Sequence, residues 1–306
     1  MSLFNVYPLY QMTPSHAKMC YVYEKNGTKY LDLYGGHAVI SIGHSHPTYV
    51  KALTNQLNNI GFYSNYIINE LQQSVANEIK IQSKCNNYNL FMTNSGAESN
   101  ENALQVASFY TKKSRIIAFK NSFHGRSNAA LSITDNHNIK SKLNEEINVT
   151  FLNFNDKKNF KKEISKGDVC SVIFESIQGV GGLDEPETEF VKYISKQCKK
   201  YNTCLIADEV QSGFGRTGDF FAFQKHDIEP DIICIAKGMG NGFPVGGILI
   251  KDHIKSNYGM LGTTFGGNHL ACTAVLAVLN TIKNENLLQN SKSLENYFRE
   301  KISLIK

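Results

Sequence analysis

The 306-residue chain has no tryptophan, six prolines and only four arginines, at positions 115, 126, 216 and 299. Its formal charge of +5 therefore rests on lysines, which are scattered along the chain and not gathered on one element. A focused basic face is what nucleic acid binding requires, so nucleic acid is not an expected partner. The scarcity also gives each arginine weight. One that falls inside a motif is a candidate for bidentate carboxylate work that lysine does poorly. No apolar run approaches the ~18 residues that cross a bilayer, so no membrane partner is expected, and no basic-then-apolar leader opens the chain. The seven cysteines are odd in number and form no CxxC pair. Cys170, Cys204 and Cys234 lie in apolar runs and read as small buried hydrophobes. These absences predict a soluble, reduced, cytoplasmic protein.

What is present is a regular alternation. Short apolar runs at 89–93, 115–119, 169–174, 203–207 and 232–236 read as strands. Between and beyond them, apolar residues recur at helical spacing. Tyr49, Leu53 and Leu57 mark a helix over 48–59, and Leu71, Val75 and Ile79 another over 70–82. Ala103, Leu104, Ala107 and Tyr110 mark a buried helical face, as do Phe190, Tyr193, Ile194 and Cys198. Leu270, Ala274, Val278 and Ile282 outline a further helix, and Leu294, Tyr297, Phe298, Ile302 and Ile305 the last. Tyr21–Tyr23 and Tyr30–Leu33 flank Asn26-Gly27, a hairpin signal. Residues 1–18 read as irregular. His37, His44 and His46 lack carboxylate or thiolate partners at ligand spacing, so loop and cap roles are expected for them and no metal. The pattern predicts an α/β protein with a mostly parallel sheet covered on both faces, and the length allows two domains.

The chemistry collects at strand ends. The run Ile232–Ala236 ends in Lys237, followed by Gly238, Gly240 and Gly242. A lysine there is either a solvated strand end or a desolvated amine able to attack carbonyls. Strand 89–93 turns through Ser95-Gly96-Ala97 into a helix, an arrangement that aims free N–H groups at an anion such as phosphate. Phe123, beside Arg126, offers a flat stacking surface and a carboxylate clamp, or is simply a buried loop side chain. Asp208 ends a buried strand, where a carboxylate needs a cationic partner. Together these four parts suit pyridoxal 5′-phosphate, which needs an anion site, a stacking face, a carboxylate at its ring nitrogen and a lysine for its Schiff base.

Seven ordered motifs carry a family resemblance: LDLYGGHAVISIGHSHP (31–47), NSGAESNENAL (94–104), NSFHGRS (121–127), ESIQGVGG (175–182), IADEVQSGFGRTG (206–218), IAKGMGNGFPVGG (235–247) and GTTFGGNHLACTAVLAVL (262–279). From about residue 20 onward the chain resembles the class III, fold-type I aminotransferases, in particular their acetylornithine/succinylornithine branch. That resemblance implies a large domain with a mostly parallel seven-stranded sheet and a small α+β domain, incomplete at the C-terminus. The expected division is an N-terminal segment of the small domain (1–45), the large domain (46–262), and helices leading into a truncated small domain (263–306).

The same resemblance implies roles. Lys237 is the Schiff-base lysine and proton shuttle, and Asp208 the partner of the ring nitrogen. Gln211 donates to the ring hydroxyl, Phe123 and Val210 sandwich the ring, and Ser95, Gly96 and Ala97 hold the phosphate. Thr264 reaches the phosphate of a neighbouring subunit, which implies a homodimer with shared sites. Arg126 grips the donor's carboxylate, Thr263 lies beside the substrate, and Arg216 is structural. The implied reaction moves the ω-amino group of N-acetylornithine or N-succinylornithine to 2-oxoglutarate, in arginine biosynthesis. Another class III ω-aminotransferase activity, on ornithine, 4-aminobutyrate or a diamine, and a truncated cofactor-binding remnant stand as alternatives. One departure concerns the substrate side: the family pattern Glu-Pro-Ile-Gln-Gly-Glu is replaced by Glu175-Ser176-Ile177-Gln178-Gly179-Val180.

Overall fold

The computed structural model describes residues 1–305. Ten strands run β1 (Pro14–Lys18), β2 (Tyr21–Glu24), β3 (Lys29–Leu31), β4 (Tyr88–Thr93), β5 (Arg115–Phe119), β6 (Val149–Leu152), β7 (Val169–Glu175), β8 (Cys204–Asp208), β9 (Ile232–Ile235) and β10 (Gly246–Lys251). Nine α-helices accompany them, both counts being of the described residues: α1 (Gly35–Ala38), α2 (Pro47–Asn59), α3 (Glu70–Ser83), α4 (Gly96–Thr111), α5 (Asn128–Ser132), α6 (Lys157–Ile164), α7 (Thr188–Lys200), α8 (His269–Asn284) and α9 (Leu287–Ser303).

β1–β3 form a small antiparallel sheet, and the other seven strands form one sheet in the order β4-β10-β9-β8-β7-β5-β6. β10 alone runs against the direction of the other six. The runs in β5, β7, β8 and β9 are buried along their whole length, as expected of parallel strands covered on both faces. Side chains alternate between two apolar clusters. Phe174, Leu205, Ala207, Ile233 and Ile235 join the one that contains α7 and α8. Ile173, Cys204, Ile206, Ile232 and Cys234 join Ala103, Leu104, Val106 and Ala107 of α4 in the other. Burial pushes the thiols of Cys170, Cys204 and Cys234 up, so these cysteines pack as apolar groups.

Several expectations are corrected. Residues 14–18 form an edge strand, held by its pairing with β2. Tyr110 is exposed and rests edge-on against His253, while Val106 takes the buried place on α4. Leu57 is also exposed. The last helix forms, but Leu294, Tyr297, Phe298 and Ile302 are more than 45% exposed, and Ile305 lies beyond its end. The three histidines each find their own partner: His37 the Tyr34 hydroxyl, His44 Asp32, and His46 Glu285. No cluster of metal ligands forms among the described residues.

Candidate active site

Strand alternation decides which side chains meet. Two-residue periodicity carries Glu175 and Asp208 to the α4 face at the carboxyl ends of β7 and β8, where they are register partners. Both are buried. The same alternation would send Lys237 to the opposite face. The chain leaves strand geometry at Ala236 (φ −169°, ψ −148°) and enters the left-handed region at Lys237 (φ +45°). That conformation costs a residue with a Cβ about 1 kcal/mol. It brings Lys237 onto the same cavity as Asp208.

Asp208 is held by three protein groups. Asn100 Nδ2 of α4 donates to Oδ2 at 2.8 Å, His124 Nδ1 lies 2.7 Å from the same oxygen, and the Val210 amide donates to Oδ1 at 3.0 Å. Burial works against protonation of His124, but the bond to Asp208 and the charges of Asp208 and Glu175 outweigh it and raise its pKa. Glu175 accepts from the Phe123 amide at 3.0 Å. Burial, with repulsion from Asp208, pushes the Glu175 carboxyl up to about 7 against the opposing charge of His124. Burial also lowers the Lys237 amine, helped by the Arg216 cation and opposed by the two carboxylates.

Helix α4 starts at the cavity. Ser95 caps it by accepting from the Glu98 amide at 3.2 Å, so the Gly96 and Ala97 amides lie at the positive end of the helix. A Cβ on Gly96 would stand 2.5 Å from Cγ1 of Val210. Glycine is therefore what lets the helix end and Val210 share one wall.

The cavity encloses about 320 Å³ and is lined by Ser95, Gly96, Ala97, Phe123, Asp208, Val210, Gln211 and Lys237. Arg126 lies outside, exposed, one residue beyond Gly125 of the lining. It has no ion-pair partner among the described residues, whereas Arg115 binds Glu163 and Asp168, Arg216 two carbonyls, and Arg299 Glu295. Thr263 and Thr264 are not in this cavity. Thr263 Oγ1 accepts from the Gly266 amide at 3.0 Å and from Asn94 Nδ2 at 3.3 Å, and Thr264 is exposed. Glu175, His124, Val39, Phe243 and Pro244 also line the cavity, and Asn100 stands behind it. No role for these follows from the sequence, although all six sit inside the motifs given above. Val180 lines the cavity and is 62% exposed.

The donor set fits pyridoxal phosphate: a helix N-terminus opened by glycine, a buried carboxylate fixed in place, apolar plates and a lysine of lowered pKa on one cavity. Residues 5–306 match the aminotransferase class-III family, and the chain belongs to it. It is a transaminase that uses pyridoxal phosphate.

Among individual relatives, the acetylornithine aminotransferase of Bacillus subtilis (strain 168) is 38% identical over 304 residues, 98% of this chain and 78% of that protein. The enzyme of the same name from Halalkalibacterium halodurans is 39% identical over 291 residues, 94% of this chain and 75% of that one. Among solved structures, ornithine aminotransferase from Toxoplasma gondii ME49 superposes with a TM-score of 0.89 at 26% identity, covering 95% of this chain and 72% of that chain. An S-selective transaminase from Arthrobacter sp. shares the fold, with a TM-score of 0.90 at 24% identity, over 100% of this chain and 74% of that chain.

Proposed function

We propose that this transaminase acts on N-acetylornithine, or its N-succinyl counterpart, as amino donor and on 2-oxoglutarate as acceptor. The observation that carries the reading is the convergence of eight residues from four separate stretches on one cavity, in a chain 38% identical to a named acetylornithine aminotransferase. The cofactor, when bound, supplies an aldehyde that takes the amino group and a ring that withdraws electrons from the carbon losing its proton.

The remaining work falls to the chain. Lys237, with its amine biased towards the neutral form by burial, is the base that takes the proton from the donor's ω-carbon. Asp208 holds the proton of the ring nitrogen, and Asn100 and His124 fix that carboxylate. Phe123 and Val210 exclude water from the two ring faces. Gln211 donates to the ring hydroxyl, and Ser95, Gly96 and Ala97 bind the phosphate at the start of α4. Arg126, without an ion-pair partner among the described residues, takes the donor's α-carboxylate, with Thr263 beside the substrate.

We read the large domain as 46–262, residues 1–45 as a segment contributing to the small domain, and 263–306 as helices leading into it, the first of which, α8, packs in the core of the large sheet. We place Thr264 at the phosphate of a second copy, in a homodimer. Its exposure outside its own cavity, beside the exposed Phe265, supports this. The free cysteines fit a cytoplasmic setting. Val180 favours keeping a second reading, another ω-amine as donor, because it leaves this part of the cavity wall uncharged.

The test is the visible spectrum of the purified protein with pyridoxal phosphate, followed through addition of N-acetylornithine, ornithine, 4-aminobutyrate and a diamine. A band that bleaches with N-acetylornithine at the lowest concentration is expected. Preference for an unacylated amine overturns the assignment of the donor.

A further inference from the structure

A strap of residues 32–44 runs from the small sheet to the cavity, and the chemistry above makes no use of it. Its ends are fixed on the small-sheet side. Asp32 Oδ1 accepts from the amides of Tyr34 and Gly35 at 3.0 and 2.8 Å, and Oδ2 lies 2.7 Å from His44 Nε2. His44 and Met19 exchange both backbone hydrogen bonds at 2.8 Å. The middle of the strap is tied to the other body, on the turns that carry Arg216 and Lys237. Arg216 Nη2 donates to the carbonyls of Ala38 and Ile40 at 2.5 and 2.8 Å. Ser41 Oγ donates to the Gly238 carbonyl at 2.7 Å. Asn241 Oδ1 accepts from the amides of Ser41 and Ile42 at 2.8 and 3.1 Å, and its Nδ2 donates to the Gly43 carbonyl at 3.0 Å. Val39 stands between these ties and lines the cavity with Lys237.

The backbone explains why ties are needed. Gly35, Gly36, His37 and Ala38 have φ of +57°, +57°, +61° and +60°. His37 and Ala38 carry Cβ atoms, so the chain holds a left-handed turn there against their own preference. Such a conformation persists only where the surroundings over-determine it. Both donors of one guanidinium nitrogen are directed at this turn, a geometry a lysine ammonium on a flexible stem reproduces poorly.

We propose that Arg216 and Asn241 are positioning residues for the amino-donor pocket, latching the strap so that Val39 forms a wall of the cavity beside Lys237. The inference rests on the reading of this cavity as the transamination site. Neither residue touches the reacting atoms. They act through the place they give to Val39.

The test compares hydrogen–deuterium exchange across residues 35–43 in the cofactor-loaded parent and in Arg216→Ala. Donor KM and cofactor Kd are measured on the same preparations. The amides of Ala38, Val39 and Ile40, bonded to the Tyr34 and Gly35 carbonyls, are expected to exchange about tenfold faster in the variant. Donor KM should rise about tenfold while cofactor Kd stays within about threefold. Val39→Ala should reproduce the KM change without the faster exchange. Arg216→Lys should fall between, and it carries the same readouts should Arg216→Ala fail to fold. Unchanged exchange overturns the latch whatever the substrate. Faster exchange with an unmoved KM overturns the positioning role. A parent that turns over no donor defeats the functional reading alone, because the exchange result still judges the latch.

Discussion

His124 Nδ1 lies 2.7 Å from Asp208 Oδ2, and both side chains are sealed from solvent. Asn100 donates to the same oxygen, so the carboxylate meets any ring nitrogen already oriented. Asp208→Asn keeps the shape and removes the charge. Turnover is expected to fall by about 10³-fold or more, with cofactor still bound. A variant within tenfold of the parent would remove Asp208 from its assigned role.

Lys237→Ala should abolish the visible band of the lysine-bound cofactor and lower turnover by at least about 10⁴-fold. The fold should hold, because alanine bears the same left-handed strain that Lys237 already carries and removes a partly buried amine. Spectra and steady-state rates on one preparation decide this. A retained band would move the cofactor's attachment elsewhere.

Glu175 and His124 make stability depend on pH. The folded Glu175 carboxyl, pushed to about 7, holds a proton that the unfolded chain has already lost above its ordinary 4.5. Stability contributed by this group therefore falls as pH rises across that interval. His124, raised from its ordinary 6.5, adds stability below that value that is lost as pH climbs through the folded one. Both trends have the same sign. Glu175→Gln retains an acceptor for the Phe123 amide, so it should remove the carboxyl's share, about 2 kcal/mol between about pH 5 and 7.5. Urea midpoints at those two pH values, free of cofactor, test it, and identical slopes for parent and variant would refute it.

Gly96→Ala should weaken cofactor binding about tenfold or more, because the new Cβ would stand 2.5 Å from Cγ1 of Val210 and one of the two must shift. The thermal midpoint should drop only modestly. A fluorescence titration gives the affinity, and an unchanged Kd would mean that this wall yields without effect.

Arg126→Lys should raise the donor's KM by about 10- to 100-fold, through loss of bidentate geometry, with cofactor affinity intact. Equal damage to both would make Arg126 a structural residue.

Five of the seven strands of the large sheet are legible as short apolar runs, and Asp208 and Lys237 end two of them, but the partly buried edge strand β6 and the antiparallel β10 are not. Nor are Asn100 and His124, because their meeting with Asp208 spans 108 and 84 positions of sequence. A buried carboxylate needs a cationic partner, and in the sequence only a cofactor offers one. The protein supplies an amide and an imidazole as well. Tyr110 went wrong for a local reason, since helical spacing marks a stripe but not how wide a neighbour covers it.

The register that pairs Glu175 with Asp208, and Asp208 with Cys234, also sets how this enzyme tolerates change in length. Side chains in a strand alternate, so removing a single residue within β8 would reverse every one beyond it and turn Asp208 away from the α4 side. A residue added among the exposed positions 136–138, far from these strand ends in the chain, alters no such parity. Lengthening and shortening are therefore admitted at the loops and refused at the centre of the sheet.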